Sequence, residues 1–304
     1  MGRKERETGV IINSKAGDKQ ERNRVLRVVS ETFQETQSFN LVDLENGNIK
    51  NIPPTVVIIG GDGTIRTAVS WLATHDEYPQ LLIAGGGSTN TFKTALIQEG
   101  AKTPVQAVKR DNHVAIDYKP AVIEHEDGEK DFWVISAGLG DFEKDFTRAF
   151  EEVRNSRIPH RTRAYAAGLV AFAQNFLSAM SSHEPLLRAY VTSQYLGPFR
   201  VFGENELSLS GDKLGLVEVD KKSYYWPFLR GAVASCFWQM KVKAPKQLVK
   251  TEVSTSFSGE IESLEETAGI NLDGDEKQVK PGKVTIKRRH QPFPVSALIW
   301  KKGK

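Results

Sequence analysis

The sequence has little cysteine and little net charge, and it lacks a long apolar run. Its single cysteine, Cys236, excludes an internal disulfide and a cysteine metal cluster. The formal net charge is +3 with both signs mixed along the 304 residues, which gives no case for a nucleic-acid binder. No run of about 18 apolar residues occurs, and residues 1–8 lack the apolar stretch of a signal peptide. We therefore expect a cytoplasmic protein without a transmembrane segment, which would reach any membrane surface from the water side.

The remaining composition is that of a globular protein with two domains. Apolar residues make up 39% and charged residues 26% of a chain that is longer than one usual domain. In residues 1–104, strand-like segments (10–12, 39–44, 55–59 and 81–84) alternate with helical patterns, which predicts a three-layer α/β/α domain with a largely parallel sheet. In residues 105–304 many short strands, the last at 294–300, predict an antiparallel β-sandwich domain.

A glycine-rich loop follows the apolar strand at residues 55–59 and opens a helix. This Gly60 loop consists of Gly60, Gly61, Asp62, Gly63 and Thr64. Glycines let backbone N–H groups approach phosphate oxygens, and the helix N-terminus adds positive partial charge. The Asp62 carboxylate would repel a phosphate unless a cation lies between them, which favours Mg²⁺ bound with a nucleotide. The same residues are also compatible with a plain strand–helix turn.

Two more loops of small polar residues follow strands of the same predicted sheet. The first loop contains Asn13, Ser14, Lys15, Ala16 and Gly17, and the Gly87 loop contains Gly87, Ser88, Thr89 and Asn90. Because ligands bind at the carboxyl ends of strands in open α/β sheets, three such loops favour a nucleotide cleft over three unrelated turns. The sequence Gly-x-x-x-x-Gly-Lys-Ser/Thr does not occur, which disfavours a P-loop.

The order of these motifs resembles that of the diacylglycerol kinase-like lipid kinase superfamily over nearly the whole chain. The Gly60 loop is similar to the superfamily signature, which NAD kinases share, and the first loop is also similar except that Ser14 replaces the usual proline. The Gly87 loop with Thr91 and Phe92 resembles the family's Gly-Thr-Gly-Asn-Asp-Phe run. Farther along, residues 137–140 resemble its glycine pair, and Asp273, Gly274 and Asp275 resemble its late Asp-Gly-Glu/Asp motif.

The resemblance implies an ATP-dependent kinase that transfers the γ-phosphoryl group to a hydroxyl of diacylglycerol or a related lipid. The three loops would bind ATP, Asp62 would belong to the catalytic magnesium–nucleotide network, and Asp275 would be the general base. The implied cofactors are ATP and Mg²⁺, and the implied partner is a lipid at the membrane surface. Independently of the resemblance, Asp273 and Gly274 predict a hairpin with a type I′ turn.

Besides Ser14, further positions depart from the family pattern. Thr91 replaces a common acidic residue, and Arg66 lies in a segment that often carries asparagine or glutamate. Gly211 and Asp212 reverse the Asp-Gly that holds a structural Mg²⁺ in some bacterial members, so Asp212 is a second candidate metal ligand. An NAD kinase and a non-catalytic nucleotide-binding module stay open as alternatives. The acceptor lipid and the oligomeric state, including a homodimer, also stay open.

Overall fold

The computed structural model of the chain describes most of the amino-terminal third and most of the carboxyl-terminal strands. It describes residues 8–13, 19–33, 36–47, 51–86, 90–108, 114–139, 153, 186–192, 207–219, 250–261 and 266–300. The helices are α1 (Lys19–Thr32), α2 (Leu41–Glu45), α3 (Asp62–Thr74), α4 (Thr91–Gln98) and α5 (Val105–Val108). None of the helices in this part of the chain has the length and apolar character needed to cross a membrane.

The described strands form three sheets. The first nine in chain order are β1 (Thr8–Ile12), β2 (Thr36–Asn40), β3 (Thr55–Gly60), β4 (Gln80–Gly86), β5 (Lys102–Pro104), β6 (Ile116–Tyr118), β7 (Ala121–His125), β8 (Lys130–Trp133) and β9 (Ser136–Leu139). The strands that follow are β10 (Leu186–Tyr190), β11 (Leu214–Val219), β12 (Lys250–Ser254), β13 (Ser256–Ile261), β14 (Ala268–Leu272), β15 (Asp275–Val279), β16 (Gly282–Arg288) and β17 (Phe293–Ile299).

The first sheet has the order β2-β1-β3-β4-β17-β5, and these neighbours are all parallel. Its seventh strand, β6, pairs antiparallel with β17. Every residue of β3 is buried, because apolar side chains pack against both faces of the sheet. On one face, Ile58 of β3 belongs to the same core as Ile65 and Leu72 of α3. On the other face, Ile59 of β3 shares a core with Val25 of α1.

The second and third sheets are antiparallel. One has the order β12-β11-β10-β9-β14-β15 and the other the order β13-β16-β7-β8. The core on the α3 face of the first sheet continues into these strands through Phe132, Trp133, Ile270 and Leu272. The predicted fold class is therefore confirmed, with a mostly parallel sheet and helices in the amino-terminal part and antiparallel strands in the carboxyl-terminal region.

Two predicted strands differ from the structure. Residues 39–44 do not form one strand, because Asn40 ends β2 and caps α2, and its N–H donates to Asp43 Oδ2 at 3.3 Å. The strand predicted at 294–300 is β17, but it lies between β4 and β5 in the first sheet and not in an antiparallel sandwich. The reason is its apolar sequence, which fits a position covered on both faces.

The division of the chain into two domains at residue 104 remains a prediction. The position of β17 suggests different domain bounds. The strands of residues 1–104 share their sheet with β6 and β17, which come from beyond that point. We propose that the α/β domain runs from β1 to α5 and includes β6 and β17. The remaining antiparallel strands would form the second domain.

Candidate active site

The Gly60 loop joins β3 directly to α3, and Thr64 packs against its first residue. Gly61 is the N-cap of α3, and its carbonyl oxygen accepts a hydrogen bond from Ile65 N–H at 3.1 Å. A Cβ on Gly60 would lie 2.4 Å from Thr64 Oγ1, so a side chain there would displace the threonine. Thr64 Oγ1 accepts a hydrogen bond of 3.2 Å from Asn13 Nδ2, at the end of β1. The structure therefore brings Asn13, Gly60 and Thr64 together at the carboxyl edge of the sheet.

Asp275 contacts the same loop from a distant part of the sequence. Asp275 is the first residue of β15, and a Cβ on Gly63 would lie 2.4 Å from its Oδ2 atom. Gly63 is therefore needed for close approach, because any larger residue would push the carboxylate away. The side chain of Asp275 is 47% exposed and can be reached from solvent. The predicted base thus lies at the first turn of α3, beside the predicted phosphate-binding loop.

Arg66 holds Asp275 at this position. Its Nη2 atom donates to Asp275 Oδ2 at 2.8 Å, in an ion pair that links residues 209 positions apart in the chain. The Arg66 side chain is 17% exposed, so most of its surface is covered by neighbouring groups. From the sequence alone, Arg66 stands out only as a departure from the family pattern. No local signal could have identified its partner, because the contact depends on the tertiary fold.

Asp62 connects the Gly60 loop to the start of α4. Its Oδ2 accepts the N–H of Thr91 and its Oδ1 accepts the N–H of Phe92, both at 2.9 Å. These are amide groups of the first turn of α4, which have no partner within the helix and lie at the positive end of its dipole. Asp62 is 3% exposed, and both of its oxygens are engaged. This arrangement fits a structural anchor, and it fits direct coordination of Mg²⁺ poorly.

The Asp273–Gly274 hairpin is confirmed and has a structural role of its own. Both turn residues have positive φ, 53° for Asp273 and 98° for Gly274, as a type I′ turn requires. The carboxylate of Asp273 accepts the N–H groups of Val134 at 2.7 Å, Ile135 at 2.7 Å and Ser136 at 3.0 Å. Burial raises the pKa of Asp273 to about 6, against the lowering effect of these donors and of the nearby Arg66 charge. The turn that carries Asp275 is thereby anchored to the segment that leads into β9.

A buried charge cluster fixes the middle of β15. Lys277 donates to Asp131 and, at 2.8 Å, to Glu129, while Asp131 Oδ2 lies 2.9 Å from His125 Nε2. The side chains of His125 and Asp131 are only 7% and 4% exposed. Lys277 lies two residues after Asp275 and projects from the same face of the strand. The cluster therefore attaches the strand of Asp275 to β7 and β8.

The end of β4 carries a positive charge that sequence analysis did not single out. Gly85 and Gly86 have φ values of 83° and 106°, and they turn the chain towards α4. Lys93, in the first turn of α4, donates to the carbonyl oxygen of Ala84 at 2.5 Å and lies 4.4 Å from the ring centroid of Trp300. Its only sequence signal is its position three residues after Asn90, the N-cap of α4.

The rest of the two other predicted loops lies outside the described residues, namely Ser14, Lys15, Ala16, Gly17, Gly87, Ser88 and Thr89.

Asp212 has a cationic side chain as its partner. Lys119 Nζ donates to Asp212 Oδ1 at 2.5 Å, and this hydrogen bond lowers the pKa of Asp212. The guanidinium of Arg288 lies beside the same turn, donating to the carbonyl oxygens of Gly211 and, at 2.8 Å, of Ser208. These cations engage the carboxylate and carbonyl oxygens that a divalent cation would need, so a metal at Asp212 fits poorly. Among the described residues, no group of three or more His, Cys, Asp or Glu could hold a metal.

The amino-terminal part of this site lies in a segment that matches a known protein family. Residues 7–121 match the family model of the diacylglycerol kinase catalytic domain. A crystal structure of a diacylglycerol kinase from Bacillus anthracis str. Sterne is 14% identical, with a TM-score of 0.57 over 97% of this chain and 98% of that chain. No curated protein sequence matches.

Two further structures from the same organism, described as candidate diacylglycerol kinases, are similarly close. One is 15% identical with a TM-score of 0.57 and covers 96% of each chain, and the other is 14% identical with a TM-score of 0.59 and covers 98% of each. At these identities the structures establish the fold alone, and the family model covers residues 7–121. Residues 7–121 therefore match the diacylglycerol kinase catalytic domain family, and the chain as a whole shares the fold of these solved structures.

Proposed function

We propose that the protein transfers the γ-phosphoryl group of ATP to a hydroxyl of diacylglycerol or a related lipid. The observation that carries the proposal is the position of Asp275, whose Oδ2 lies where a side chain on Gly63 would be. A general base must lie near both the attacking hydroxyl and the γ-phosphate. Contact between Asp275 and the Gly60 loop satisfies this requirement if the loop binds the phosphates.

In the proposed complex the phosphates lie at the carboxyl edge of the first sheet. The N–H groups at the start of α3 and the hydroxyl of Thr64 would donate to phosphate oxygens. The first loop and the Gly87 loop would hold the rest of ATP, as the resemblance implies. Mg²⁺ would be supplied with ATP and would offset the negative charge of its phosphates.

Asp275 would act on the acceptor. As the lipid hydroxyl oxygen bonds to the γ-phosphorus, its proton passes to the Asp275 carboxylate, and the bond from the γ-phosphorus to the β–γ bridging oxygen breaks to release ADP. The half-exposed position of Asp275 leaves it open to such an acceptor. The substrate would be presented at a membrane surface, which a cytoplasmic enzyme would approach from the water side.

The test is phosphoryl transfer to a mixed lipid extract. Purified protein is incubated with ATP labelled on the γ-phosphate and with lipid vesicles, and the labelled lipid is identified. We expect labelling that is lost in Asp275→Asn, which keeps the side-chain shape, and in Asp62→Ala. The matched control is Asp127→Asn, an acidic residue in the turn between β7 and β8, which should keep full activity.

The same assay separates the alternatives. NAD replaces lipid in a parallel reaction, and labelled NADP without labelled lipid would identify an NAD kinase. ATP binding in calorimetry, with no label transferred to lipid or NAD, would identify a non-catalytic nucleotide-binding module. Full activity of Asp275→Asn would show that this carboxylate is not the base.

A further inference from the structure

We infer that Arg66 is a positioning residue for Asp275: it holds the carboxylate against Gly63 and offsets its negative charge where the γ-phosphate must approach. This inference rests on the proposed function. It assigns a role to a residue that neither the glycine-rich loops nor the Asp-Gly turn includes. It also accounts for an arginine in a segment where the family pattern often has neutral or acidic residues.

The geometry makes Arg66 part of the site. Arg66 lies three residues after Gly63 on α3, so both face the same side of the helix. Its Nη2 atom is 2.8 Å from Asp275 Oδ2, and Oδ2 is also the atom that a Cβ on Gly63 would meet. The carboxylate is thus held between the first turn of α3 and the guanidinium. Removing the arginine would leave Asp275 free to turn towards solvent.

The hydrogen-bond pattern indicates more than a structural link. Among the described residues, only Arg66 donates to Asp275, and it does so to Oδ2, which leaves Oδ1 to accept a proton from the substrate. Arg66 Nε is buried and has no hydrogen-bond partner in the described part of the chain. The contact with Asp275 is the one hydrogen bond that the described residues give to this guanidinium, and its charge also acts on the nearby Asp273. The position of Arg66 is therefore explained by these two carboxylates, because its Nε donor stays unsatisfied.

The positive charge of Arg66 affects how Asp275 and the triphosphate can approach each other during phosphoryl transfer. An ionised carboxylate and a triphosphate repel each other, and a cation close to both reduces the repulsion. Both oxygens of Asp62 accept N–H groups of α4, an arrangement that fits direct coordination of a metal poorly. Arg66 is the cation that the structure places in contact with Asp275.

The experiment compares Arg66→Ala, Arg66→Gln and Arg66→Lys in the lipid-labelling assay. We expect kcat to fall about 100-fold in Arg66→Ala, the cost of a misplaced reacting group, while the KM for ATP changes less than about threefold. Guanidinium chloride at millimolar concentration should restore part of the kcat of Arg66→Ala, and sodium chloride should not. Arg66→Lys, which keeps the charge, should retain about tenfold more kcat than Arg66→Gln.

Arg289 provides the matched control at the other end of α3. It donates to the carbonyl oxygen of Ala73 at 2.6 Å and to Asp76 at 3.1 Å, far along the helix from the Gly60 loop. Arg289→Ala should lower the unfolding temperature but leave kcat unchanged, with no response to guanidinium. Equal kcat values in Arg66→Lys and Arg66→Gln, or wild-type kcat in Arg66→Ala, would overturn the inference alone. A wild-type protein that labels no lipid would overturn the proposed function together with it.

Discussion

Replacing Gly63 by alanine should separate catalysis from stability. The new Cβ would lie 2.4 Å from Asp275 Oδ2, whereas an ordinary contact is at least 3.4 Å, so the carboxylate must move by about 1 Å. A misplacement of that size costs on the order of 10²-fold in rate, or about 2.7 kcal/mol of transition-state free energy. Stability should change little, because alanine favours a helix by about 0.5–1 kcal/mol. The half-exposed ion pair that is disturbed contributes a similar amount at most.

The assay is label transfer to lipid at saturating ATP, with unfolding in urea measured in parallel. Gly259→Ala is the control, because a Cβ on this strand residue meets nothing within 4 Å. We expect Gly259→Ala to keep wild-type kcat and Gly63→Ala to lose it with an unfolding midpoint close to wild type. If Gly63→Ala transfers phosphate at the wild-type rate, the position of Asp275 is not what the reaction depends on. If its free energy of unfolding falls by several kcal/mol, a group other than the Asp275 carboxylate is displaced by the new methyl group.

The other predictions concern stability, pH and metal removal. Asp131→Ala should cost about 3–5 kcal/mol in denaturant unfolding, because it leaves His125 and Lys277 without their shared buried partner, and a loss below about 1 kcal/mol would contradict this. Burial raises the folded-state pKa of Asp273 from 3.8 to about 6. The folded chain therefore binds this proton more tightly than the unfolded chain. The resulting stabilisation of the folded state is present below about pH 4 and is lost as the pH rises through about 6. Asp273→Asn should remove that part of the pH dependence of unfolding, and an unchanged slope between these pH values would count against it. Treatment with EDTA should shift the unfolding temperature by less than about 1 °C, whereas 1 kcal/mol of lost stability would shift it by roughly 2 °C. A loss that Mg²⁺ reverses in the wild type but not in Asp212→Asn would indicate a metal at Asp212.

Local patterns predicted the elements that their own residues determine. The apolar, β-branched run of β3 predicted a strand covered on both faces, and all of its residues are buried. The Asp273–Gly274 pair predicted a type I′ hairpin, because few residues adopt the two positive φ angles it requires. The helix after the Gly60 loop was also predicted, although α3 begins earlier, at Asp62, than the apolar periodicity indicates. The first and last residues of a helix depend on capping residues, which are not part of the apolar periodicity.

The assembly of the site could not be predicted from local sequence. Asp275 was assigned through family resemblance alone, because no spacing rule connects it to Gly63. The partners of Asp62 and Arg66 depend on how α4 and β15 approach α3, which is a property of the tertiary fold. The sequence of β17 did contain a signal that it belongs to the parallel sheet. Its nearly continuous apolar run differs from the mixed polar and apolar pattern of β13. The strand was predicted as antiparallel because the strands before it are.

The place of β17 bears on how the chain folds during synthesis. β17 ends at Ile299, yet it lies between β4 and β5, which end at Gly86 and Pro104. At about 5–20 residues per second, a ribosome would need roughly 10–40 s to make the intervening chain. During that time β4 presents an unpaired edge of apolar residues, the kind of surface that promotes aggregation. Nascent chains of this protein should therefore depend on chaperones, and products that terminate before Phe293 should be insoluble.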